Sequence, residues 1–265
     1  MRCEAEGGLV MKLEIENLTF SYGDGPRIID GLSLSYESPD VLCILGSNGT
    51  GKSTLLQCVI GDFRPSSGQV LVNGRDVRTY SARDLARLIA YIPQTHVPSF
   101  EYSVIDVVTM GRTSIMGRFS TPSATDVRRA EEKLEFLGIE RLRDKPYTAI
   151  SGGERQLVMI ASALAQEPEV LILDEPTAHL DFGNQYRFVK LVEQLRESGM
   201  GVIMTTHFPD HALELAGTTA VMQGGRIAHW GPAAEVVTNE TMGNLYGISV
   251  SVEHLGDRAI CVPGM

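Results

Sequence analysis

Gly46-Ser-Asn-Gly-Thr-Gly-Lys-Ser-Thr54 follows directly on the apolar run Val41-Leu-Cys-Ile-Leu45, and these two segments decide how the rest of the chain is interpreted. The spacing G-x-x-x-x-G-K-S between a strand and a helix is typical of a P-loop, whose backbone curls around phosphate groups. The loop glycines let successive N–H groups point inward, where a side chain would obstruct the phosphates. Lys52 adds a positive charge at the β and γ phosphates, and Ser53 offers a hydroxyl to Mg²⁺.

The helix that begins at this loop turns its positive N-terminal end toward the same anion. The structural alternative is a glycine-rich turn that binds nothing, but the glycine, lysine and hydroxyl requirements are met together here in strand-loop-helix order. We therefore expect the phosphates to be held by Gly46, Ser47, Asn48, Gly49, Thr50, Gly51, Lys52, Ser53 and Thr54.

The composition is typical of a globular protein with an ordinary core, since 43% of the 265 residues are hydrophobic. The formal net charge of −10 argues against nucleic acid or an anionic membrane surface as the main partner, because phosphate binding needs clustered Lys and Arg. Phosphate attraction is therefore expected to be local to the loop.

The four cysteines form no C-x-x-C pair and two of them lie in apolar runs, so we expect buried thiols in a reducing cytosol. They are Cys3, Cys43, Cys58 and Cys261. No apolar run approaches the roughly 18 residues that span a bilayer, and the start of the chain has no signal-peptide pattern. The patterned sequence opens at Met11, so residues 1–10 are predicted to be a flexible N-terminal extension.

Apolar and polar residues alternate over Lys12–Phe20 and again over Ile28–Tyr36, which predicts two paired antiparallel strands. The turn between them, Ser21–Pro26, carries Tyr22. The ordinary interpretation of Tyr22 is a half-exposed aromatic side chain, and stacking on an adenine ring is the less common alternative.

A helical region is predicted over residues 102–150, which begins with an apolar patch and continues with an amphipathic helix over about Thr125–Leu137. Because this region lies between predicted strands, we interpret it as a subdomain inserted into the sheet. Before it, Ser81 fits the N-cap of a helix that runs through Ile89. Gln94 is by default a solvated loop residue.

The next helix is predicted to open with Ser151-Gly-Gly-Glu-Arg-Gln156. Ser151 and Glu154 fit a capping box, which many ordinary helices use. Capping does not explain the two consecutive glycines in the first turn, which cost roughly 1 kcal/mol each relative to alanine. We therefore expect another group to approach the backbone closely there.

Val170-Leu-Ile-Leu-Asp-Glu175 is a nearly continuous apolar run that ends in two carboxylates, as expected for a buried parallel strand with its chemistry at the carboxyl end. Asp174 and Glu175 should therefore emerge beside the P-loop, where metal and water roles are favoured over simple solvation of the strand end. Gly201-Val-Ile-Met-Thr-Thr-His207 repeats the pattern, although an isolated histidine after a strand is more often structural than catalytic.

Taken together, these segments resemble the ATP-binding cassette of ABC transporters over nearly the whole chain, from Met11 to about Val252. The Ser-Gly-Gly-Glu helix start separates that family from other P-loop enzymes. The resemblance implies an α/β P-loop NTPase fold of ABC type, with a mixed central sheet, an antiparallel β subdomain and an inserted helical subdomain over about residues 102–168. It leaves residues 253–265 as a C-terminal tail.

The family implies a role for each motif. Tyr22 would stack on adenine, Glu175 would be the general base that polarises the attacking water, and His207 would contact the γ-phosphate and orient that carboxylate. ATP and Mg²⁺ are the implied cofactors. The implied metal ligands are Ser53, Gln94 and Asp174. The signature residues that would contact the ATP of a second copy are Ser151, Gly152, Gly153 and Glu154.

Two copies would close head to tail over two ATP molecules, and Asp181 would lie in the loop that crosses this interface. The stretch Ala178-His-Leu-Asp181 departs from the commoner Ser-Ala-Leu-Asp at His179, which bears on fine coupling and not on the assignment. Because Glu175 is present, the resemblance implies a working ATPase.

Three further stretches resemble the corresponding stretches in importers of the iron-siderophore, haem, cobalamin and molybdate group. They are Val104–Arg112, His179–Gln185 and Thr206–Ala212. The implied partners are a second copy of the chain, a polytopic membrane permease and, indirectly, a substrate-binding protein. The implied location is peripheral, on the cytoplasmic face of the cell membrane. Cargo specificity belongs to the other chains, because the docking groove of the ATPase reads only the permease.

Two other functions stay open at this point. A cassette that powers assembly of another complex, such as iron-sulfur cluster assembly, would use the same ATP site with soluble partners only. A small-molecule kinase built on the P-loop is disfavoured by the Ser-Gly-Gly-Glu helix, and phosphoryl transfer to water alone would exclude it.

Overall fold

The computed structural model describes residues 10–94, 101–116, 120–178 and 180–264. The predicted N-terminal extension, apart from Val10, and the residues Cys3 and His179 lie outside these ranges. The strands are Lys12–Ser21 (β1), Arg27–Glu37 (β2), Val41–Leu45 (β3), Ser67–Val72 (β4), Arg75–Asp76 (β5), Ile89–Ile92 (β6), Val170–Leu173 (β7), Gly201–Thr206 (β8), Thr218–Gln223 (β9), Arg226–Pro232 (β10), Val250–Leu255 (β11) and Arg258–Pro263 (β12).

The α-helices include one directly after the P-loop and one that begins at the Ser-Gly-Gly-Glu stretch. They are Lys52–Val59 (α1), Ala82–Leu88 (α2), Val104–Met110 (α3), Ala124–Phe136 (α4), Gly152–Ala165 (α5), Phe182–Glu197 (α6), Pro209–Leu215 (α7), Ala233–Val236 (α8) and Asn239–Tyr246 (α9). In the part of the chain that the structure describes, no helix combines the length and the apolar character needed to cross a bilayer.

The central sheet has the strand order β10-β9-β3-β8-β7-β6. Strand β10 runs antiparallel to β9, whereas the other neighbours are parallel. Every residue of β3, β7 and β8 is buried, which explains why these strands are nearly continuous apolar runs in the sequence. Because parallel strands end at the same edge of a sheet, the residues that follow β3, β7 and β8 meet there.

A second, antiparallel sheet has the order β2-β1-β4-β5 and confirms the strand pairing predicted from alternation. Leu13 and Ile15 of β1 lie opposite Tyr36 and Leu34 of β2, and all four side chains are buried. They share one hydrophobic core with α1, including Leu55. This sheet therefore holds the helix that follows the P-loop.

The helical region confirms the predicted insertion, because it joins β6 and β7, which are neighbours in the sheet. Helices α3, α4 and α5 pack around a core of their own. Helix α4 covers Ala124–Phe136, close to the predicted amphipathic helix. A Cβ atom on Gly111 would clash with the backbone carbonyl of Ser162, so glycine permits the close approach of α3 and α5.

Two expectations are corrected by the structure. The helix capped by Ser81 ends at Leu88 rather than at Ile89, because Ile89 already pairs with Val170 in the central sheet. The boundary expected at residue 252 falls inside a hairpin formed by β11 and β12. Those strands expose many of their residues and alternate only weakly, which is why the sequence pattern did not indicate them.

The C-terminal hairpin is attached to α7. The backbone N–H of Cys261 donates to Oδ1 of Asp210 at 2.7 Å, and Nη2 of Arg258 lies 2.6 Å from Oε2 of Glu214. Residues 253–263 thus pack on the domain as part of its fold. Of the predicted reduced cysteines, Cys43 and Cys58 are free and buried, and Cys261 is free and partly exposed.

Candidate functional site

The loop after β3 is shaped by its glycines. Gly49 and Gly51 have φ angles of 79° and 99°, in the left-handed region that favours glycine. A Cβ atom on Gly46 would lie only 2.8 Å from Oγ1 of Thr50, so a side chain does not fit there either. Thr50 Oγ1 donates to the carbonyl oxygen of Ser47 at 2.9 Å and closes the loop on itself. The backbone geometry thus requires the glycines that the sequence pattern pointed to.

Helix α1 begins at this loop with N–H groups available to an anion. Among the described residues, no side chain caps its N-terminus, and its first turn contains no acidic residue. Helices α3, α4 and α5 each begin with a serine cap and an acidic capping-box partner. Because free N–H groups and the helix dipole favour negative charge, α1 fits a phosphate group at the predicted position.

Lys52 lies in the first turn of α1, and its side chain is only 4% exposed. Its Nζ donates to the carbonyl oxygens of Gly46 at 2.7 Å and Ser47 at 3.1 Å. The same nitrogen lies 2.9 Å from Oε1 of Glu175. A charge this deeply buried is tolerated when it is paired and hydrogen-bonded, as it is here. The expected meeting of the P-loop with the end of β7 therefore occurs.

The carboxylate of Glu175 is held from both sides. Oε1 faces Lys52, and Oε2 lies 3.1 Å from Nδ1 of His207, the first residue after β8. Burial raises the pKa of Glu175, but the hydrogen bonds and charges of Lys52 and His207 outweigh burial, and the pKa is lowered overall. Glu175 is therefore ionised at neutral pH, the state that a general base requires.

The backbone of Glu175 is strained. Its φ angle of 44° lies in the left-handed region, which costs a non-glycine residue on the order of 1–2 kcal/mol. Its N–H donates to Oγ1 of Thr205 at 2.8 Å, and that hydroxyl donates to Oδ1 of Asp174 at 2.7 Å. Thr205, which no sequence signal singled out, thus fixes both acidic residues from the neighbouring strand. Strain of this kind is concentrated at functional sites.

Asp174 is only 3% exposed and has a second neighbour on β6. The hydroxyl of Tyr91 donates to Oδ2 of Asp174 at 3.4 Å and accepts from Nε2 of Gln57 on α1 at 3.0 Å. Burial, followed by the charge of Asp174, raises the pKa of Tyr91 to about 12, so the hydroxyl stays protonated. Tyr91 therefore connects α1 to the end of β7, a contact that the sequence did not indicate.

The predicted metal ligands offer oxygen atoms of the kind that Mg²⁺ binds. Ser53 is an exposed residue in the first turn of α1, Asp174 ends β7, and the exposed Gln94 follows β6. Within the described ranges, no group of three or more His, Cys, Asp or Glu side chains could hold a metal ion by itself. Mg²⁺ usually takes only one or two carboxylates from a protein and completes its coordination shell with waters and phosphate oxygens.

Tyr22 lies beside the P-loop helix. Its hydroxyl is 3.0 Å from Oγ1 of Thr54, and its ring makes edge contacts with Phe20 and Phe63, with centroids 5.0 and 5.7 Å away. The residue is 54% exposed. The structure thus brings an accessible aromatic ring, supported by two others, next to the predicted phosphate loop.

The Ser-Gly-Gly-Glu stretch forms the capping box that the sequence predicted. The side chain of Ser151 accepts from the N–H of Glu154, whose carboxylate accepts from the N–H of Ser151 at 3.0 Å. That backbone hydrogen bond, the nearby Arg141 and the Ser151 hydroxyl lower the pKa of Glu154 to about 2. These contacts satisfy two backbone N–H groups at the start of α5.

The two signature glycines differ in their surroundings. A Cβ atom on Gly153 would lie 3.4 Å from Nδ2 of Asn184, a tight contact within the chain. On Gly152 the nearest described atom would be 3.9 Å away, so packing within the chain does not require glycine there. A pocket of about 240 Å³ is lined by Gly152, Gln94 and Glu175, among other residues. The pocket joins the start of α5 to the edge of the sheet at which Glu175 lies.

Asp181 caps α6 and contacts its own helix. Its carboxylate accepts from the backbone N–H of Asn184 at 2.8 Å and from Nδ2 of Asn184 at 3.0 Å. Neither contact involves Lys52 or Glu175, and Asp181 is exposed. The predicted interface role of Asp181 stays a prediction.

His211, which no sequence pattern singled out, is buried beside the ends of β7 and β8. Its Nδ1 lies 3.3 Å from Oγ1 of Thr206 and 3.5 Å from Oγ1 of Thr177, two residues beyond Glu175. Burial lowers the pKa of His211 to about 4, with a smaller contribution in the same direction from His207. The neutral ring therefore joins the ends of β7 and β8.

Comparison with known proteins identifies the family of this chain. The family profile described as ABC transporter matches residues 29–178. The chain belongs to this family, as an ATP-binding cassette that binds and hydrolyses ATP. The predicted fold class and the predicted ATPase activity are thereby confirmed.

Among its relatives is the hemin import ATP-binding protein HmuV of Bordetella pertussis, which is 37% identical over 252 residues, covering 91% of this chain and 94% of that protein. The molybdate import ATP-binding protein MolC of Haemophilus influenzae is 33% identical over 235 residues, covering 88% and 87% of the two chains. A solved metal-chelate type ABC transporter in an inward-facing conformation matches with a TM-score of 0.85 and 31% identity, over 96% of this chain and 98% of that one.

We predict that Lys52→Ala lowers ATP turnover by roughly 10²-fold or more, because it removes the one cationic side chain that the P-loop carries at the phosphates. MgATP binding should weaken as well. The measurement is phosphate release at saturating MgATP, together with nucleotide binding by calorimetry. Lys12→Ala, which removes a partly exposed lysine whose Nζ lies 2.8 Å from Oε1 of Glu14, is the matched control and should keep wild-type turnover. Wild-type turnover in Lys52→Ala would contradict the site.

We also predict a pH effect from His211. Because its pKa is lower in the folded protein than the ordinary 6.5, its contribution to stability is complete above pH 6.5 and is lost as the pH falls toward 4. From pH 7 to pH 5 the unfolding free energy of the wild type should fall by about 2 kcal/mol more than that of His211→Gln. Urea unfolding at both pH values measures this difference. His229→Gln, on the exposed part of β10, should show the same pH dependence of the unfolding free energy as the wild type. If the unfolding free energy of all three proteins changed equally with pH, the lowered pKa of His211 would be refuted.

Proposed function

We propose that this chain is the ATP-hydrolysing subunit of an ABC importer that powers uptake of a metal chelate or similar cargo, such as an iron-siderophore, haem, cobalamin or molybdate, through a membrane permease. The hemin and molybdate import proteins support the importer class, since they match most of the chain at 37% and 33% identity. The similarity to the metal-chelate type transporter supports the same class.

The observation that carries the catalytic part of the proposal is the position of Glu175. Its ionised carboxylate lies between Lys52 at 2.9 Å and His207 at 3.1 Å, at the edge of the sheet where the P-loop turns. In the proposal, Glu175 accepts the proton of the attacking water while Lys52 neutralises charge on the γ-phosphate. His207 holds the carboxylate in orientation and contacts the same phosphate.

The remaining groups bind and orient the nucleotide. The N–H groups at the start of α1 hold the phosphates, and Tyr22 stacks on the adenine ring beside Thr54. Mg²⁺ would be held by Ser53, Asp174 and Gln94. When bound, the ion neutralises charge on the β and γ phosphates.

A second copy of the chain completes each site in this proposal. Ser151, Gly152, Gly153 and Glu154 form the start of α5, where Ser151 and Gly152 are exposed. Gly152 lacks a side chain although the chain itself leaves room for one. An approaching phosphate from a partner copy accounts for that glycine, since it needs close contact with the backbone. Asp181, exposed at the start of α6, would lie in the same head-to-tail interface.

The permease is proposed to dock on the helical subdomain. Gln94 lines the pocket that joins Glu175 to α5, so a change at the nucleotide can reach the subdomain through this residue. The chain would sit peripherally on the cytoplasmic face of the cell membrane, with a substrate-binding protein as an indirect partner. The choice among the four cargo types would be made by those other chains.

The proposal predicts which protein co-purifies with this chain. A tagged copy is expressed in its own cell, the membranes are solubilised in mild detergent, and the bound proteins are identified by mass spectrometry. The expected result is a polytopic membrane protein in equal amount, together with vanadate-sensitive ATPase activity. A pull-down with Lys52→Ala is the control, because docking on the helical subdomain does not need the P-loop lysine. Soluble partners alone would overturn the importer assignment and favour a cassette that drives assembly of another complex.

A further inference from the structure

Tyr246, the last residue of α9, contacts the backbone of the segment that carries His207. Its hydroxyl donates to the carbonyl oxygen of His207 at 2.8 Å, across 39 residues of sequence. Its ring packs, partly buried, against the hydrophobic core beneath the central sheet. Burial raises the pKa of Tyr246, so the hydroxyl stays protonated and acts as the donor.

The peptide unit between His207 and Phe208 is held at both ends by these contacts. Tyr246 binds its carbonyl oxygen, and its N–H donates to Oγ1 of Thr206 at 3.0 Å. His207 and Phe208 join the end of β8 to Pro209, the first residue of α7, and the carbonyl oxygen of Phe208 accepts from the N–H of His211 at 3.2 Å. The peptide unit between His207 and Phe208 is itself held by the two hydrogen bonds described above, which orient the backbone from which the side chain of His207 leaves.

That direction decides whether His207 reaches Glu175. Nδ1 of His207 lies 3.1 Å from Oε2 of Glu175, and the imidazole ring packs on Phe208 with centroids 4.0 Å apart. A rotation of the peptide unit by a few tens of degrees would move the imidazole by more than the tolerance of a hydrogen bond. The contact thus depends on the backbone being held in place.

The C-terminal hairpin and α9, which carries Tyr246, are both attached to neighbouring parts of the fold. The hairpin follows α9, and its strand β12 is bound to α7 through Asp210 and Glu214, three and seven residues beyond His207. Nε2 of Gln223 also donates to the carbonyl oxygen of Asn244 at 3.3 Å. Helix α9 and the hairpin are therefore attached to the same structural unit that carries His207.

We propose that Tyr246 is a positioning residue for ATP hydrolysis, which holds the backbone of His207 so that the imidazole meets Glu175. This inference rests on the role proposed above for His207. It assigns a function to the C-terminal segment, in which the sequence carries no recognisable motif. Tyr246 itself acts through the carbonyl of His207 and not on the nucleotide.

The test compares Tyr246→Phe with Tyr80→Phe in the full-length chain. Both changes remove one hydroxyl that donates to a backbone carbonyl and keep the ring; Tyr80 donates to the carbonyl of Val72 at 2.9 Å in the antiparallel sheet. Tyr246→Phe should lower kcat for ATP by about 3- to 10-fold, the range expected for one lost hydrogen bond. The KM for ATP should change by less than about twofold. Tyr80→Phe should keep wild-type kcat, and thermal unfolding should show similar Tm values for the two variants.

A double-mutant cycle with His207→Ala separates positioning from general stabilisation. If Tyr246 acts through His207, Tyr246→Phe should lower kcat by less than about twofold further in the His207→Ala background. Independent multiplication of the two effects, or wild-type kcat in Tyr246→Phe while His207→Ala is impaired, would overturn the inference and leave the proposed function intact. Wild-type kcat in His207→Ala would overturn the inference together with the role proposed for His207.

Discussion

The ion pair between Lys52 and Glu175 is the interaction on which the rest of the site depends. Both side chains are almost fully buried, at 4% and 9% exposure, so each charge needs the other and the hydrogen bonds around it. Lys52 follows β3 and Glu175 follows β7, which are separated in the sheet by β8. The pair therefore forms only when the parallel strands have this order. The third group, His207, comes from the end of the intervening strand β8, which places it within 3.1 Å of the carboxylate.

The sequence predicted the features whose signals lie within a few neighbouring residues. The P-loop glycines, the capping box at Ser151 and the buried strand before Asp174 all follow from local patterns of charge, shape and polarity. Strand order follows less directly, because it needs the resemblance to a known family. The structure then confirms the P-loop fold and brings Tyr22, Lys52 and Glu175 to their expected neighbourhood.

Contacts between distant segments could not be predicted in this way. Thr205 and Asp174 are 31 residues apart, His211 and Thr177 are 34 apart, and Tyr246 and His207 are 39 apart. Each pair is created by tertiary packing, and a lone threonine or tyrosine carries no pattern that identifies its partner. The C-terminal hairpin was missed because much of it is exposed, so its strands lack the alternation that marks a half-buried sheet. These distant contacts hold the ends of β7 and β8 in place around the two carboxylates.

Glu175 is proposed to drive hydrolysis in a site shared by two copies of the chain, and the decisive measurement is the mass of the Glu175→Gln protein in solution. Glutamine keeps the shape of the side chain and cannot accept the proton, so bound ATP should persist and hold the two copies together. With saturating MgATP, light scattering should report twice the 28.9 kDa mass of one chain, whereas Lys52→Ala/Glu175→Gln should remain at the mass of one chain. A Glu175→Gln protein that binds ATP, shows no turnover and still has the mass of one chain would contradict the shared site, and wild-type turnover in that variant would contradict the role of Glu175.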